Sequence, residues 1–586
     1  MLKIIRYFSK REWSLAGVAF LLILAQVWLD LKIPDYMKEI TNLVQTSDSA
    51  MSAVLSSGGK MLLCAFGSLA AAASATVCVA RIAAAFGASL RLRLYDRVMS
   101  FSMQELSSFS AASLITRSTN DVTQVQMFLV MGLRVIVQAP VTAVWAIAKI
   151  ADKRSEWTLS VGAAVVVLLC VMTVAVLLVL PKFRRLQVLT DDLNRVTREN
   201  LNGLPVIRAY NADAYQEKKF EVANAALTNT HLFTGRAMAV LMPTIGLVMN
   251  GLSLAIYWIG AYLIQNAAMP LRPDLFSDMI VFSSYAMQVV MSFMMLVVIF
   301  LLLPRASVAA KRIMEVLQTK ATIIDGQRTV PPVPGTIEFR NVSFRYPNSE
   351  EDVLKHISFS VQPGQTVAII GATGSGKSSL LNLIPRFYDA TQGQVLVGGA
   401  DVREYTQMSL RNQIGYVSQR ATLFSGSVES NIAFGDSGRP QAQQEEIDAA
   451  LETAQATQFV SEMNANHYVA QGGANLSGGQ KQRLSIARAV ARGAEILLFD
   501  DSFSALDFKT DRAVRAALER QAHGATRLIV AQRIGTVRDA DQILVLSDGE
   551  LVGCGTHAEL MKTCADYRDI AYSQLSKEEL DVCQDQ

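Results

Sequence analysis

The sequence predicts an all-α domain of six membrane-spanning helices, followed by an α/β domain built around a phosphate-binding loop. Three observations predict it. Composition is 51% hydrophobic and only 18% charged, against about 25% charged residues in an ordinary soluble chain. The apolar excess lies in residues 14 to about 305, whereas 336–586 reads as an ordinary soluble α/β domain. A glycine-rich run, Gly371-Ala372-Thr373-Gly374-Ser375-Gly376-Lys377-Ser378, sits between an apolar run and a helical one. With 586 residues, more than one domain is expected. The predicted boundaries are a membrane domain at 1–318, a linker at 319–335, the α/β domain at 336–573 and a C-terminal tail at 574–586.

A spanning helix needs about 20 mostly apolar residues. Six segments qualify: 14–35, 61–86, 128–150, 158–180, 237–265 and 277–303. The first follows Met1-Leu2-Lys3-Ile4-Ile5-Arg6, is too long for a signal-peptide core and has no small-residue cleavage site, so it is read as retained. Lysine and arginine in the flanks set orientation. Lys3, Arg6, Lys10 and Arg11 place the N-terminus in the cytoplasm. Arg91, Arg93, Arg97 and Arg117 do the same after the second span, and Lys182, Arg184, Arg185, Arg195, Arg198, Lys218 and Lys219 after the fourth. Lys153 and Arg154 run against this trend, in a very short link where Asp152 and Glu156 accompany them. The two long cytoplasmic connections show helical periodicity and few breakers. They are read as helical extensions of the spans, with tips near 107–120 and 208–217.

Polar residues within spans are candidates for function. Asp30 and Lys32 can pair or face a cavity, and Arg134, Gln138 and Asn250 are further candidates, with plain packing or snorkelling as the alternative. The last span carries Met279, Met287, Met291, Met294 and Met295. The last four fall on one helical face, read as a lipid-facing or helix-packing stripe in preference to an adaptable binding surface. The six cysteines (Cys64, Cys78, Cys170, Cys554, Cys564, Cys583) lack CxxC spacing, and three lie in apolar runs as small hydrophobes. A net charge of +3 is too small to argue for nucleic acid.

In the α/β domain the run Val367-Ala368-Ile369-Ile370 is strand-like, and Ser379 to Ile384 reads as helix. Between them the pattern G-x-x-x-x-G-K-S has the context a phosphate loop needs. Its glycines let backbone N–H groups wrap phosphates, Lys377 adds charge, and Ser378 is a Mg²⁺ ligand. A second apolar strand ends at Asp500, the expected Mg²⁺ partner. Further along the chain runs Asn475-Leu476-Ser477-Gly478-Gly479-Gln480-Lys481-Gln482-Arg483.

With that signature the chain resembles a half-transporter of the ABC exporter superfamily over nearly its whole length. The resemblance implies an all-α six-helix transmembrane domain of exporter type, then a P-loop nucleotide-binding domain with a helical subdomain. It implies that Gly371, Thr373, Gly374, Ser375, Gly376, Lys377, Ser378 and Ser379 bind ATP, and that Tyr346 stacks on adenine. Gln419, within Tyr416-Val417-Ser418-Gln419, is implied to touch Mg²⁺ beside Ser378 and Asp500. Ser504-Ala505-Leu506-Asp507 matches the D-loop. In this family two ATPase domains sandwich two ATP molecules, so Ser477, Gly478, Gly479 and Gln480 are implied to complete a partner's site.

Two positions depart from the family pattern, and both fall in one nucleotide site. The residue after the Walker B aspartate is usually glutamate, the base that activates water; here it is Asp501. A histidine usually follows the late strand; here Leu528-Ile529-Val530-Ala531 leads to Gln532. Aspartate is one methylene shorter, and a displacement of roughly 1 Å can cost about 10²-fold in rate. Glutamine donates a hydrogen bond but cannot become cationic. Gln471, in Val469-Ala470-Gln471-Gly472-Gly473, replaces a glutamate common in exporters. The expectation is the degenerate-site subunit of a heterodimeric multidrug exporter in the cell membrane, with N-terminus and ATPase domain cytoplasmic. Its cofactors are ATP and Mg²⁺. Its partners are a half-transporter carrying the missing glutamate and histidine, a small hydrophobic substrate and the lipid bilayer, with no nucleic acid. The alternatives are a dedicated lipid, peptide or siderophore carrier, a non-transporting ATP-binding regulator with a membrane anchor, and a homodimer with slow turnover.

Overall fold

The computed structural model describes residues 2–45, 51–151, 155–347, 349–463, 467–522 and 524–574. The link at 152–154, Cys583 and all of the expected tail beyond 574 lie outside the described residues. The chain divides into two compact units: Met1–Arg97 with Ala112–Gln318, and Val98–Ala111 with Thr319–Gln586.

The first unit is helical. Its long helices are α1 (Lys10–Gln45), α2 (Met51–Met99), α3 (Val122–Ala151), α4 (Ser155–Asn202), α5 (Asp213–Asn266) and α6 (Arg272–Gln318). Among the described residues, six helical stretches are long and apolar enough to cross a membrane, and each expected span lies inside one of the long helices. At 49 residues α2 is roughly 70 Å long, more than twice the hydrocarbon thickness of about 30 Å. The span therefore continues as helix well beyond the bilayer. Helix α3 packs on α6, and α4 on α5. Their shared core includes fully buried Trp157 against Phe282, ring centres 5.4 Å apart.

The first connection breaks at 100–102, ahead of the expected tip, and again at 109–110, inside 107–120. Ser102 caps a new short helix, Met103–Ser108, by a reciprocal box with Glu105, satisfying the first free N–H groups. A π-helical turn at Arg117–Asp121 then leads into α3, with Arg117 bound to Glu315 at 2.9 Å and Arg312 to Asp121 at 3.3 Å. The second connection breaks at Gly203 and again at 210–212, where Asn211 takes a left-handed backbone (φ 50°).

Asp30 and Lys32 do not pair. Asp30 accepts from Ser68 and from Gln26, while Lys32 turns to Asp35 at 3.8 Å. Residues two apart on a helix point to different sides, whereas three apart share a face. Arg134 donates to Gln138, Thr76 and Gln26 at 3.1, 3.0 and 3.5 Å, so three helices meet in one polar network. Asn250 is exposed. Met291 is exposed while Met294 packs against the core, so the methionine face is split between surface and interior.

The described residues of the second unit hold two large sheets and a two-stranded pair, Gly426–Ser427 with Tyr468–Val469. An antiparallel sheet has β1 (Ile337–Phe344) between β2 (Leu354–Val361) and β4 (Gln392–Val397). The central strand β3 (Thr366–Gly371) belongs to the other sheet, with β5 (Ile414–Val417), β6 (Ile496–Asp500), β7 (Thr526–Val530), β8 (Gln542–Ser547) and β9 (Glu550–Gly555). Its order is β9-β8-β3-β7-β6-β5, parallel except for β9. Every residue of β6 is buried, as expected of a parallel strand covered on both faces. Helix α7 (Lys377–Leu383) follows β3, α8 (Gly478–Ala491) precedes β6, and α9 (Phe508–Gln521) precedes β7. Short helices at Val428–Ile432, Gln444–Thr453 and Thr457–Ser461 share a core with α8 and form the helical subdomain.

Glu105 ties the Met103–Ser108 helix to the stretch that enters this unit. Its carboxylate accepts from Ser102 N at 2.8 Å, Ser102 Oγ at 2.6 Å, Thr322 N at 3.2 Å and Thr322 Oγ1 at 2.7 Å. Burial alone would raise its pKa, but these four donors outweigh burial and hold it below the ordinary value. A lowered carboxylate contributes stability that is present above its unfolded pKa and lost as pH falls through the folded one. Glu105→Gln should therefore lower the unfolding free energy of this unit by about 1–2 kcal/mol at neutral pH. The deficit should shrink in thermal unfolding scans taken down through the carboxylate range.

Candidate nucleotide site

The loop between β3 and α7 is built for close approach. Gly374 and Gly376 hold left-handed backbones (φ 90° and 95°), and a Cβ on Gly376 would stand 2.9 Å from the Val353 carbonyl. Only glycine fits there without strain. A cavity of 230 Å³ opens against this loop, lined on one side by Thr373, Gly374, Gly376, Lys377, Ser378 and Ser379. Gln419, Asp501, Val530, Gln532 and Val353 close it. Sheet order explains the convergence. Gln419 follows β5, Asp501 follows β6 and Gln532 follows β7, three neighbouring parallel strands whose carboxyl ends share one edge.

Lys377 is buried and folds back on its own loop, donating to Gly371 O at 2.9 Å, Ala372 O at 2.7 Å and Ser375 Oγ at 3.3 Å. Burial lowers its pKa, against the pull of the Asp501 and Asp500 charges. Ser378 Oγ donates to Asp500 Oδ1 at 2.7 Å. Burial raises the Asp500 pKa and the Asp501 charge adds to the rise, while the Ser378 hydrogen bond and Lys377 oppose it. A hydroxyl and a carboxylate in contact, under that electrostatic load, are the oxygen donors that Mg²⁺ takes. Ser378 and Asp500 would hold the ion, which would neutralise phosphate charge when bound.

Asp501 occupies a left-handed turn (φ 46°), with its N–H on Val530 O at 3.0 Å. Its Oδ2 accepts from Gln532 Nε2 at 2.9 Å and from Gln419 Nε2 at 3.3 Å. Two carboxamides thus grip one oxygen of the buried carboxylate at the expected base position. Tyr346 reaches the site through Ser379, hydroxyl to hydroxyl at 2.9 Å, with its ring edge-on to Phe344 and Tyr388.

Among the described residues, neither the signature run nor Asp507 lines this cavity. Ser477 caps α8 through a reciprocal box with Gln480, at 3.3 and 2.8 Å, which leaves Ser477 and Gly478 exposed at a helix N-terminus. Gly479 and Gln480 are half-buried in its first turn. Asp507 caps α9, accepting from Thr510 N at 3.0 Å. Gln471 is exposed, in a segment that Asn475 folds through Ala470 N and Tyr468 O. Sequence reasoning missed Val353 and Val530, the apolar walls. Val353 had no local signal, since its place depends on a bond to Phe344 O across the β1–β2 turn.

A six-helix membrane domain joined to a phosphate-loop domain is the construction of an ATP-driven membrane transporter. Residues 354–504 match the ABC transporter family profile, and 16–321 match the ABC transporter transmembrane region. The chain is 38% identical to an uncharacterised ABC transporter ATP-binding protein of Mycobacterium tuberculosis, over 98% of each chain. It is 32% identical to an ATP-dependent lipid A-core flippase of Aromatoleum aromaticum, over 85% of this chain and 82% of that one. Its fold matches a bacterial Atm1-family ABC exporter solved with ATP bound, TM-score 0.78 at 22% identity, over 97% of this chain and 99% of that one. The chain belongs to the ABC transporter family, with one membrane domain and one ATPase domain, and has the fold of an exporter half-transporter.

The Ser378–Asp500 pair makes a selective prediction. Ser378→Ala should weaken ATP binding about 10-fold in the presence of Mg²⁺, the weight of one hydrogen bond to a charged group. Binding in excess chelator should change little. Equilibrium binding with and without Mg²⁺ checks it.

Proposed function

We propose that this chain is one subunit of a heterodimeric exporter, holding ATP at its own site while its signature run serves the partner's. The carrying observation is the double amide grip on Asp501 Oδ2. A general base must reach water within about 2.6–3.2 Å with a lone pair to offer. Asp501 is already short, and one of its oxygens is committed to two donors. Gln532 supplies a neutral donor where a cation or proton carrier is the family habit. Lys377, Ser378 and Asp500 are all in place, which supports retained ATP and Mg²⁺ binding. The exposed capped N-terminus at Ser477 suits an anion presented by another chain. On this reading a partner with glutamate and histidine hydrolyses ATP, and the pair switches between inward- and outward-facing states in the cell membrane, with ATPase domains cytoplasmic.

The cargo is read as apolar or amphipathic, of the multidrug type. A dedicated lipid carrier is the second reading. The Asp30–Gln26–Arg134 network favours cargo with a polar head over a pure hydrocarbon, and one relative carries the name of a lipid A-core flippase.

The test is ATP turnover of the chain alone and with candidate partner half-transporters. Turnover should appear only in the mixture, should fall at least about 10²-fold when the partner's glutamate is replaced, and should survive Asp501→Asn. Strong turnover by the lone chain, lost on Asp501→Asn, would make Asp501 a working base and overturn the reading. For cargo, Arg134→Gln in the reconstituted pair should lower stimulation of turnover by headed amphipaths several-fold while leaving basal turnover unchanged. Equal stimulation of both proteins would remove the network from cargo recognition.

A further inference from the structure

The last described helix, α10 (Ala565–Gln574), ends on the backbone beside Gln532. Gln574 Nε2 donates to Gln532 O at 2.7 Å, and Gln574 Oε1 accepts from Ile534 N at 2.9 Å. One carboxamide thus matches a backbone acceptor and a backbone donor two residues apart, straddling the turn that carries the Gln532 side chain. The need is local. Ile534 N–H is the first donor of the four-residue helix Ile534–Val537, and Arg533, in the N-cap position, makes no side-chain cap. A first-turn N–H has no partner within its own helix; Gln574 supplies one from outside. On its other side Gln532 follows Ala531, whose N–H is tied to Ile369 O at 3.1 Å. The segment is held at both ends, and the free parameter is the Gln574 contact.

Helix α10 is well placed to act as a fixed support. Tyr567 and Ala571 are fully buried, and Tyr567 OH meets His557 Nδ1 at 2.7 Å. From that support the contacts run Gln574 to the Gln532 backbone, then Gln532 Nε2 to Asp501 Oδ2. We propose that Gln574 is a positioning residue of the nucleotide site: it fixes the Gln532 backbone, and through it Asp501, so that α10 sets how firmly this chain retains ATP. The inference rests on the proposed reading of Gln532 as the residue at the family's histidine position, lining the cavity beside the phosphate loop. It does not depend on which subunit hydrolyses.

The experiment uses the assembled transporter in lipid nanodiscs with Mg²⁺ and 8-azido-ATP. Photolabelling after rapid dilution, read on this chain's band, gives the rate of nucleotide loss from its own site. Gln574→Ala should speed loss about 3- to 10-fold, the weight of one or two hydrogen bonds. The nucleotide-free unfolding temperature should stay unchanged. Gln574→Glu keeps the acceptor for Ile534 N–H and loses the donor to Gln532 O, so it should fall between wild type and alanine. In a Gln532→Ala background, Gln574→Ala should add nothing, because the two act in series. A purely structural tether would add the same increment in both backgrounds, and that result overturns the proposal. Gln532→Ala effective with Gln574→Ala silent also overturns it, leaving the Gln532 assignment intact. Gln532→Ala silent overturns the assignment and this proposal together.

Discussion

The nucleotide site depends on one carboxylate oxygen, Asp501 Oδ2. Gln419 and Gln532 both donate to it, and the two amides come from loops after β5 and β7, on either side of the strand that delivers Asp501. Parallel strands make this possible. Because β5, β6 and β7 run the same way, their carboxyl ends open along a single edge, where ligands of open α/β sheets bind. The Asp501 backbone is fixed from below by Val530 O, and Ser504 Oγ holds Asp501 O at 2.8 Å. The stretch leading to Asp507 is thereby tied to the same residue that the two amides grip.

Charge balance in the cavity follows from this arrangement. Asp500 and Asp501 bring two buried carboxylates against one buried ammonium, Lys377. Burial pushes Lys377 and Asp500 toward their neutral forms, and each group's neighbours push partly back. Lys377 satisfies itself on Gly371 O and Ala372 O, and Ser378 satisfies Asp500. These are local hydrogen bonds that a phosphate chain and a divalent cation can replace one for one. The polar groups are thus satisfied before any ligand arrives, which limits the cost of a buried charged site.

Much of this was readable in the chain. Six apolar segments needed only length, since the membrane demands that backbone groups be satisfied within each span. The phosphate loop needed only its spacing and its place between strand and helix. Reading failed where position depends on partners far away. Glu105 meets Thr322 across 217 residues, and Val353 is placed by a strand pairing. At Asp30 and Lys32 the sequence left pairing open as one alternative, although helix geometry already argued against a pair two residues apart. The earlier turn at 100–102 was visible in principle, as Ser102 with Glu105 three residues on is a capping box.

The two departures at 501 and 532 belong together. With aspartate, Oδ2 lies 2.9 Å from Gln532 Nε2 and 3.3 Å from Gln419 Nε2. A glutamate carboxylate would advance by roughly 1 Å, one C–C bond projected along the side chain, into a space whose walls are those amides. The Gln532 backbone is held from behind, by Ala531 on its strand side and by Gln574. A longer acid would have to displace a donor or turn away from it. An imidazole at 532, shorter and rigid, would leave that space open. On the proposed reading, shortening the acid and lengthening the amide is a single change of packing. It exchanges a poised base for a filled, neutral, hydrogen-bonded wall beside an otherwise intact phosphate loop. Lys377, Ser378 and Asp500 stand outside that wall and keep their own contacts, so the loop that would hold phosphate is left as it was.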